Sequence, residues 1–298
     1  MKLPSHGRYD WSPLPKRPDY SWPNGKRLAL YFDLNTEYFA FKAGLGSDST
    51  GHNNPQTHRN YSWRDYGNRV GIWWIFDLFD ELDCPLAHNM NSMVLEQHPE
   101  IGERIVARGD EFVSHGRSNA ERQDVMWEED EKRLIDETTE IIAKHWGGKR
   151  PVGWMSPYLA HSNVTLDLLV EAGYKYQCDW PADDQPFFMR TRSGPILSMP
   201  YSVEMNDSPA IIMRQNYMHD YADMMIDQFD EMLMRSKKHP MVCSFPLHTF
   251  VVGHPFRLRH LRRAIQHMLK HRDDIWVTTP GAISDHCWSL PKGIIPGS

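Results

Sequence analysis

The sequence predicts an α/β protein, a distorted (β/α) barrel of about seven to eight parallel strands. Three observations predict it. Short apolar runs alternate with amphipathic helical runs along almost the whole chain. Such alternation implies parallel strands joined by crossover helices. The chain has 298 residues, 40% of them hydrophobic, which suffices for one barrel-sized core. Finally, polar residues follow the apolar runs, and barrels of this kind build their sites at the carboxyl ends of their strands.

Residues 1–26 read as an extended arm. Pro4, Pro13, Pro15, Pro18 and Pro23 interrupt any helix there, and Tyr9, Trp11, Tyr20 and Trp22 give it apolar surface to bury on the body or on a neighbouring subunit. The barrel is expected over 27–288, with a short tail at 289–298. LALYFDL (28–34) reads as the first buried strand. VGIWWIFDLFDEL (70–82) reads as a helix with Val70, Trp73, Trp74 and Leu78 on one side. PLAHNMNS (85–92) contains the second strand. HPEIGERIVARG is a helix stopped by Gly109, and EFVSH is the third strand. The run from Glu128 to His145 is helical, and its acidic start suits the positive end of a helix dipole. VGWMS is a strand, and SNVTLDLLVEAG is a helix with a Gly stop. YKYQCDW, ILSMPYS, VCSFPLH and IWVTTP complete the strands. DYADMMIDQFDEMLMRS is a helix with Ala222, Met225, Ile226, Phe229, Met232 and Leu233 inward; its methionines read as core filler.

With 33 basic and 39 acidic side chains, the net charge of −6 offers no electrostatic attraction to nucleic acid or to an anionic membrane. The basic run RLRHLRRAIQHMLKHR keeps Leu258, Leu261, Ile265, Met268 and Leu269 at helical spacing, so it reads as a solvated helix face. Four cysteines form no C-x-x-C pair, which argues against a thiolate zinc site. The first twenty residues lack the apolar core of a signal peptide, and no segment is long enough to span a bilayer, so a cytoplasmic protein is expected. The aromatic arm suggests a homo-oligomer.

The strand ends supply Asp33, Asn35 and Glu37; His88, Asn89 and Asn91; Ser114 and His115; Ser156, Pro157 and Tyr158; Asp179 and Trp180; and His248. Burying that many polar groups without purpose is costly. A carboxylate and a histidine on one rim suit hydrolysis of an amide or ester. The carboxylate takes a proton from water, and the histidine gives one to the leaving group. Either Asp33 or Glu37 could be that base.

These residues resemble the polysaccharide deacetylase superfamily, carbohydrate esterase family 4. The resemblance runs from about Arg27 to about Trp288 and implies a deacetylase-like barrel. FDLNTE aligns Asp33 with the family's base, but Asn35 stands where a metal-binding carboxylate is expected. In SHGRSN, His115 matches the first histidine of H-x-x-x-H and Asn119 replaces the second. WMSPYLAHSN keeps Pro157 without the usual arginine, and PLH supplies His248. Asparagine is a poor ligand for a zinc-class ion. The reading is therefore a disarmed metal site with no cofactor. A weakly held divalent ion such as zinc would have Asp33, Glu37, His115 and Asn119 to bind it.

A branch of metal-independent allantoinases and cyclic-imide-hydrolase relatives departs in the same way. YGNRVGIWW, LNTE, SHG, ADDQPFF and HTFVVGHPFR are similar to its segments, in order. That resemblance implies a cyclic amidase that opens a cyclic amide, imide or ureide. Asp33, Glu37, His115 and His248 are expected to be catalytic, although the branch tends to have an apolar residue at the position of Asp33. Asn35, His88, Asn119, Trp154, Tyr158 and Trp180 bind substrate, the three aromatics walling a small flat pocket. The arginine of the branch's W-Y-T-G-R stretch is absent, which makes a smaller imide ring as good a candidate as allantoin. The alternatives are a metal-dependent deacetylase of N-acetylated sugars and a non-catalytic binding protein.

Overall fold

The computed structural model describes residues 5–43, 45–46 and 54–298. Its centre is one curled sheet. In chain order the strands are β1 (Leu28–Thr36), β2 (Ala87–Met90), β3 (Glu111–Ser114), β4 (Gly153–Trp154), β5 (Tyr176–Gln177), β6 (Phe187–Thr191), β7 (Gly194–Ser198), β8 (Met241–His248) and β9 (Trp276–Val277). Across the sheet they run β8-β1-β2-β3-β4-β5-β7-β6, and β9 pairs with the start of β1. Every pairing is parallel except β6 with β7, an antiparallel hairpin at one edge. The expected (β/α) barrel is therefore present as a curled, half-closed form, with β8 and β6 at the two ends of the sheet.

The pleat sorts the side chains of β1. Leu28, Leu30, Phe32 and Leu34 join the outer core, where they meet the helices. Ala29 and Tyr31 join the cluster on the other face, so Asp33, Asn35 and Glu37 project into the concave side of the sheet. The strand register places Asn35 beside Asn89 on one side and His248 on the other.

Helices cover the convex face. α1 (His58–Tyr66) runs into a π-helical turn, Gly67–Gly71, and then into α2 (Ile72–Glu81). The expected apolar face of this helix holds in part. Leu78 is buried and Trp73 packs against the core, but Trp74 is exposed, and Ile72, Ile75, Phe76 and Phe79 complete the buried face. The wide π turn over Gly67–Gly71 shifts the helical phase relative to a period read from Val70. Further along come α3 (Ser92–Gln97), α4 (Pro99–Arg108), α5 (Glu128–His145), α6 (Thr165–Glu171), α7 (Met218–Ser236), α8 (Thr249–Val252), α9 (Pro255–Leu269) and α10 (Pro280–Ser289). Gly109 closes α4 with φ +75°, as its position in the sequence implied.

The arm lies on the body. Arg8 grips Asp167 through two hydrogen bonds of 2.8 and 2.7 Å, and Trp22 is buried with its indole N–H donating to the Met241 carbonyl. The tail packs too: Ile295 is buried, and the Phe188 N–H donates to the Pro296 carbonyl. All four cysteines are buried and unbonded to one another. Among the described residues no helix is long and apolar enough to cross a membrane.

Candidate active site

Glu37, just past the end of β1, is the hub. One carboxylate oxygen accepts a 2.6 Å hydrogen bond from the Asn119 amide. The same oxygen lies 3.5 Å from His115 Nε2 and 3.7 Å from His248 Nε2. All four side chains are buried. Burial pushes the Glu37 carboxyl up, but His248, His115 and Arg64 outweigh it and hold the group below its ordinary value. Glu37 is thus an anion poised between two imidazoles.

Each imidazole is held from behind. His115 Nδ1 sits 2.7 Å from the Met155 carbonyl, so this nitrogen carries the proton and Nε2 faces Glu37. His248 is held by Asp207, which sequence reasoning missed. Asp207 takes the His248 backbone N–H at 2.8 Å and the ring Nδ1 at 2.6 Å. Burial pushes His248 down, but Asp207 and Glu37 raise it above its ordinary value. The pair of carboxylates favours the protonated ring, and Nε2 lies on the side of the hub. In MNDSP nothing marks Asp207 out, because its partner is 41 residues away.

Asp33 lies on the same face as Glu37, four residues earlier in the chain. Its carboxyl is fully buried, with Asn89 as its polar neighbour, and it feels the charge of His248. Burial, aided by Glu111, raises its carboxyl to about 8. At neutral pH it is an acid with its proton on. Asn35 is likewise occupied, donating to the Leu247 carbonyl at 3.0 Å and accepting from Asn89 at 3.1 Å.

Three of the expected substrate contacts are corrected. His88 faces the helices: Nδ1 is 3.1 Å from the Thr36 hydroxyl, Nε2 is 3.4 Å from Asp110, and Phe76 packs on the ring. Its neighbour Asn89 points inward instead, because adjacent strand residues alternate. Trp154 is fully buried among Leu134, Leu166 and Tyr174, its N–H on Ser156 at 2.9 Å, so it is core. Trp180 donates to His161 and packs against His6 and Tyr9 of the arm, not against Glu37. Tyr158 is at the site. Its hydroxyl donates to the Asn119 carbonyl at 3.1 Å. It and Leu159 hold φ of +62° and +56°, a conformation that costs non-glycine residues of order 1–3 kcal/mol each.

The residues around the hub include Arg64 of α1, another residue that sequence reasoning missed. Its guanidinium lies over the Phe39 ring, 3.9 Å from the centroid. Asn68, one turn later, donates to the Glu37 carbonyl at 2.8 Å. Together with Tyr38, Phe39, Tyr61, Asp65 and His98 these residues border a small cleft with about 10 Å³ open to the centre of a water molecule, room for about one.

The superfamily's metal can be tested against these donors. His115 Nε2 and the Glu37 carboxylate are good ligands for a zinc-class ion. Asn119 spends its amide on Glu37, Asn35 is tied into the strand network, and His248 is held by Asp207 and favoured in its protonated form. Among the described residues no group of three histidines, cysteines or acids converges to hold an ion. The residues present do not fit the metal.

Comparison with known proteins agrees with the superfamily. The family model for polysaccharide deacetylase matches residues 59–177. A peptidoglycan deacetylase of Helicobacter pylori is 25% identical over 245 residues, 72% of this chain and 82% of that one. The crystal structure named Puue allantoinase superposes with a TM-score of 0.80 at 29% identity, covering 89% of this chain and 91% of that chain. A polysaccharide deacetylase-type structure from Pseudomonas aeruginosa gives 0.80 at 28%, covering 89% and 92%. The chain is thus similar to the polysaccharide deacetylase superfamily, by a family model over 59–177 and by the folds of these solved structures.

Proposed function

We propose that the chain hydrolyses a C–N bond in a small cyclic amide, imide or ureide without a metal ion. The observation that carries the reading is the set around Glu37: one carboxylate between two imidazoles, with amides at the positions where further metal ligands would stand. The likeness to an allantoinase structure supports the same branch.

Glu37 takes a proton from water as its oxygen attacks the ring carbonyl. The carbonyl π electrons move to oxygen. When the C–N bond breaks, the nitrogen takes the proton on His248 Nε2, and the ring opens to a carboxylic acid that still carries its amide or ureide arm. Asp207 holds His248 in the protonated form that this requires. The Asn119 Oδ1 atom is buried without a partner and accepts a ring N–H. His115 and Tyr158 orient the ring. An imide suits such a site, since its second carbonyl spreads the negative charge that develops on nitrogen before the proton arrives.

Deacetylation of N-acetylated sugars is the second reading, favoured by the name of the Helicobacter relative. Against it stand Asn35 and Asn119 at the positions of two metal ligands, both already engaged within the site. The deciding experiment follows ring opening across allantoin, hydantoin, succinimide and maleimide, with an N-acetylated oligosaccharide as the comparison. Deacetylation without ring opening overturns the proposal.

A further inference from the structure

A metal-free hydrolase still needs a positive group where the carbonyl oxygen gathers charge. We propose that Arg64 is that group: its guanidinium receives the oxyanion, and a seam of glycines sets its position. The inference rests on the hydrolytic reading above and names the electrophile of the same site.

The seam joins two sequence motifs that have no evident common purpose until the chain is folded. In YGNRVG, Gly67 and Gly71 lie on the π turn that follows α1. In HTFVVGHP, Gly253 ends α8, directly after His248. A Cβ on Gly67 would press into the Thr249 side chain and the Phe250 backbone, and one on Gly71 into the Thr249 carbonyl. A Cβ on Gly253 would sit 2.6 Å from the Gly71 Cα. The backbone after α1 therefore lies against the backbone after His248, at a distance only glycine permits. The arginine within the motif, Arg69, points to solvent with 73% of its side chain exposed. One turn earlier on the helix, Arg64 is only 6% exposed.

The aromatic surroundings fix where the guanidinium goes. It lies over the Phe39 ring at 3.9 Å and 5.8 Å from the Phe250 ring. Phe250 itself packs 5.5 Å from the His248 ring. Arg64 also borders the same small cleft as Glu37. Its charge is felt by three groups of the site, Glu37, His248 and Tyr158. A planar cation stacked on an aromatic face is pre-organised, so it loses little freedom when a carbonyl oxygen arrives. Water attacks from the Glu37 side, the carbonyl π electrons move to the oxygen facing Arg64, and no further reactant is needed.

The test compares wild type with R64M, R64K and R64A on succinimide, hydantoin and an N-acetylated chito-oligosaccharide. Carbonyl attack is common to all three, so the role of Arg64 reads on whichever one the wild type hydrolyses. Loss of an oxyanion partner lowers kcat about 100- to 1000-fold with KM little changed. R64K should recover part of that, and millimolar guanidinium chloride should restore turnover to R64A. A purely structural role would give no rescue. Unchanged kcat in R64M, a rise in KM alone, or absence of rescue in folded R64A overturns the inference while ring opening by the wild type leaves the proposed function standing. A wild type that hydrolyses none of the three overturns both.

Discussion

Replacing Asp207 by Asn keeps the shape of the side chain and removes its charge. In the wild type each carboxylate oxygen accepts one bond, from the His248 backbone N–H at 2.8 Å and from its ring N–H at 2.6 Å. An amide has only one accepting oxygen, so one of these two donors must face an NH2 group. The lost charge-assisted bond is worth about 1.5–3 kcal/mol. If it acts on the imidazolium in the transition state, the rate falls about 10- to 150-fold. The pH profile makes the test specific. Activity needs Glu37 ionised and His248 protonated. Glu37 is held below 4.5 and His248 above 6.5, so the wild type has a broad plateau with its alkaline limb set by His248. Without the Asp207 charge the His248 proton binds less tightly, and the alkaline limb moves to lower pH. The assay is kcat against pH for both proteins, with melting curves to confirm folding. A D207N variant with wild-type turnover and an unmoved alkaline limb would refute the role assigned to this pair.

Two further outcomes follow from the same structure. Asp33 is raised from 3.8 to about 8, so the folded state binds its proton more tightly than the unfolded chain does. Its contribution to stability is complete below 3.8 and is lost as pH rises through about 8, by an amount on the order of 6 kcal/mol at about 1.4 kcal/mol per unit. Thermal melts should therefore show D33N gaining on wild type between pH 5 and pH 9, on the order of several degrees, and equal pH slopes would contradict a buried neutral acid. Gly71→Ala forces a methyl group against the Thr249 carbonyl; it should cost at least about 1–3 kcal/mol of stability in denaturant titrations, and an unaffected midpoint would show that the seam yields.

The strands and the inward-facing row Asp33, Asn35, Glu37 were legible because a period of two on β1 is a local property. So were His115 and His248, each the last polar residue after an apolar run. The protonation state of a buried residue was less legible. Asp33 matches a base by motif, yet burial raises its carboxyl to about 8 and keeps its proton on at neutral pH, which its place in the sequence does not show. His88 and Asn89 illustrate a second limit. Both lie within β2, and only the register with β1 decides which one faces inward. Tryptophans were read as pocket walls because they are large and flat, but Trp154 fills a core gap and Trp180 anchors the arm. Asp207 and Arg64 escaped notice because their contacts to His248 and Phe39 are made across the fold, by a loop and a helix that no local pattern ties to the rim. Cysteine burial and the helix stop at Gly109, by contrast, depend on neighbouring residues alone and read directly.

The central claim is hydrolysis at a Glu37-centred site without a bound metal. Its most direct test is ring opening of succinimide and hydantoin by the purified protein, before and after exhaustive chelation and again after adding zinc. The account predicts a rate that chelation leaves unchanged, zinc does not raise, and Glu37→Gln lowers about a hundredfold or more. A rate that vanishes with the chelator and returns with zinc would contradict it, since the asparagines would then be ligands after all.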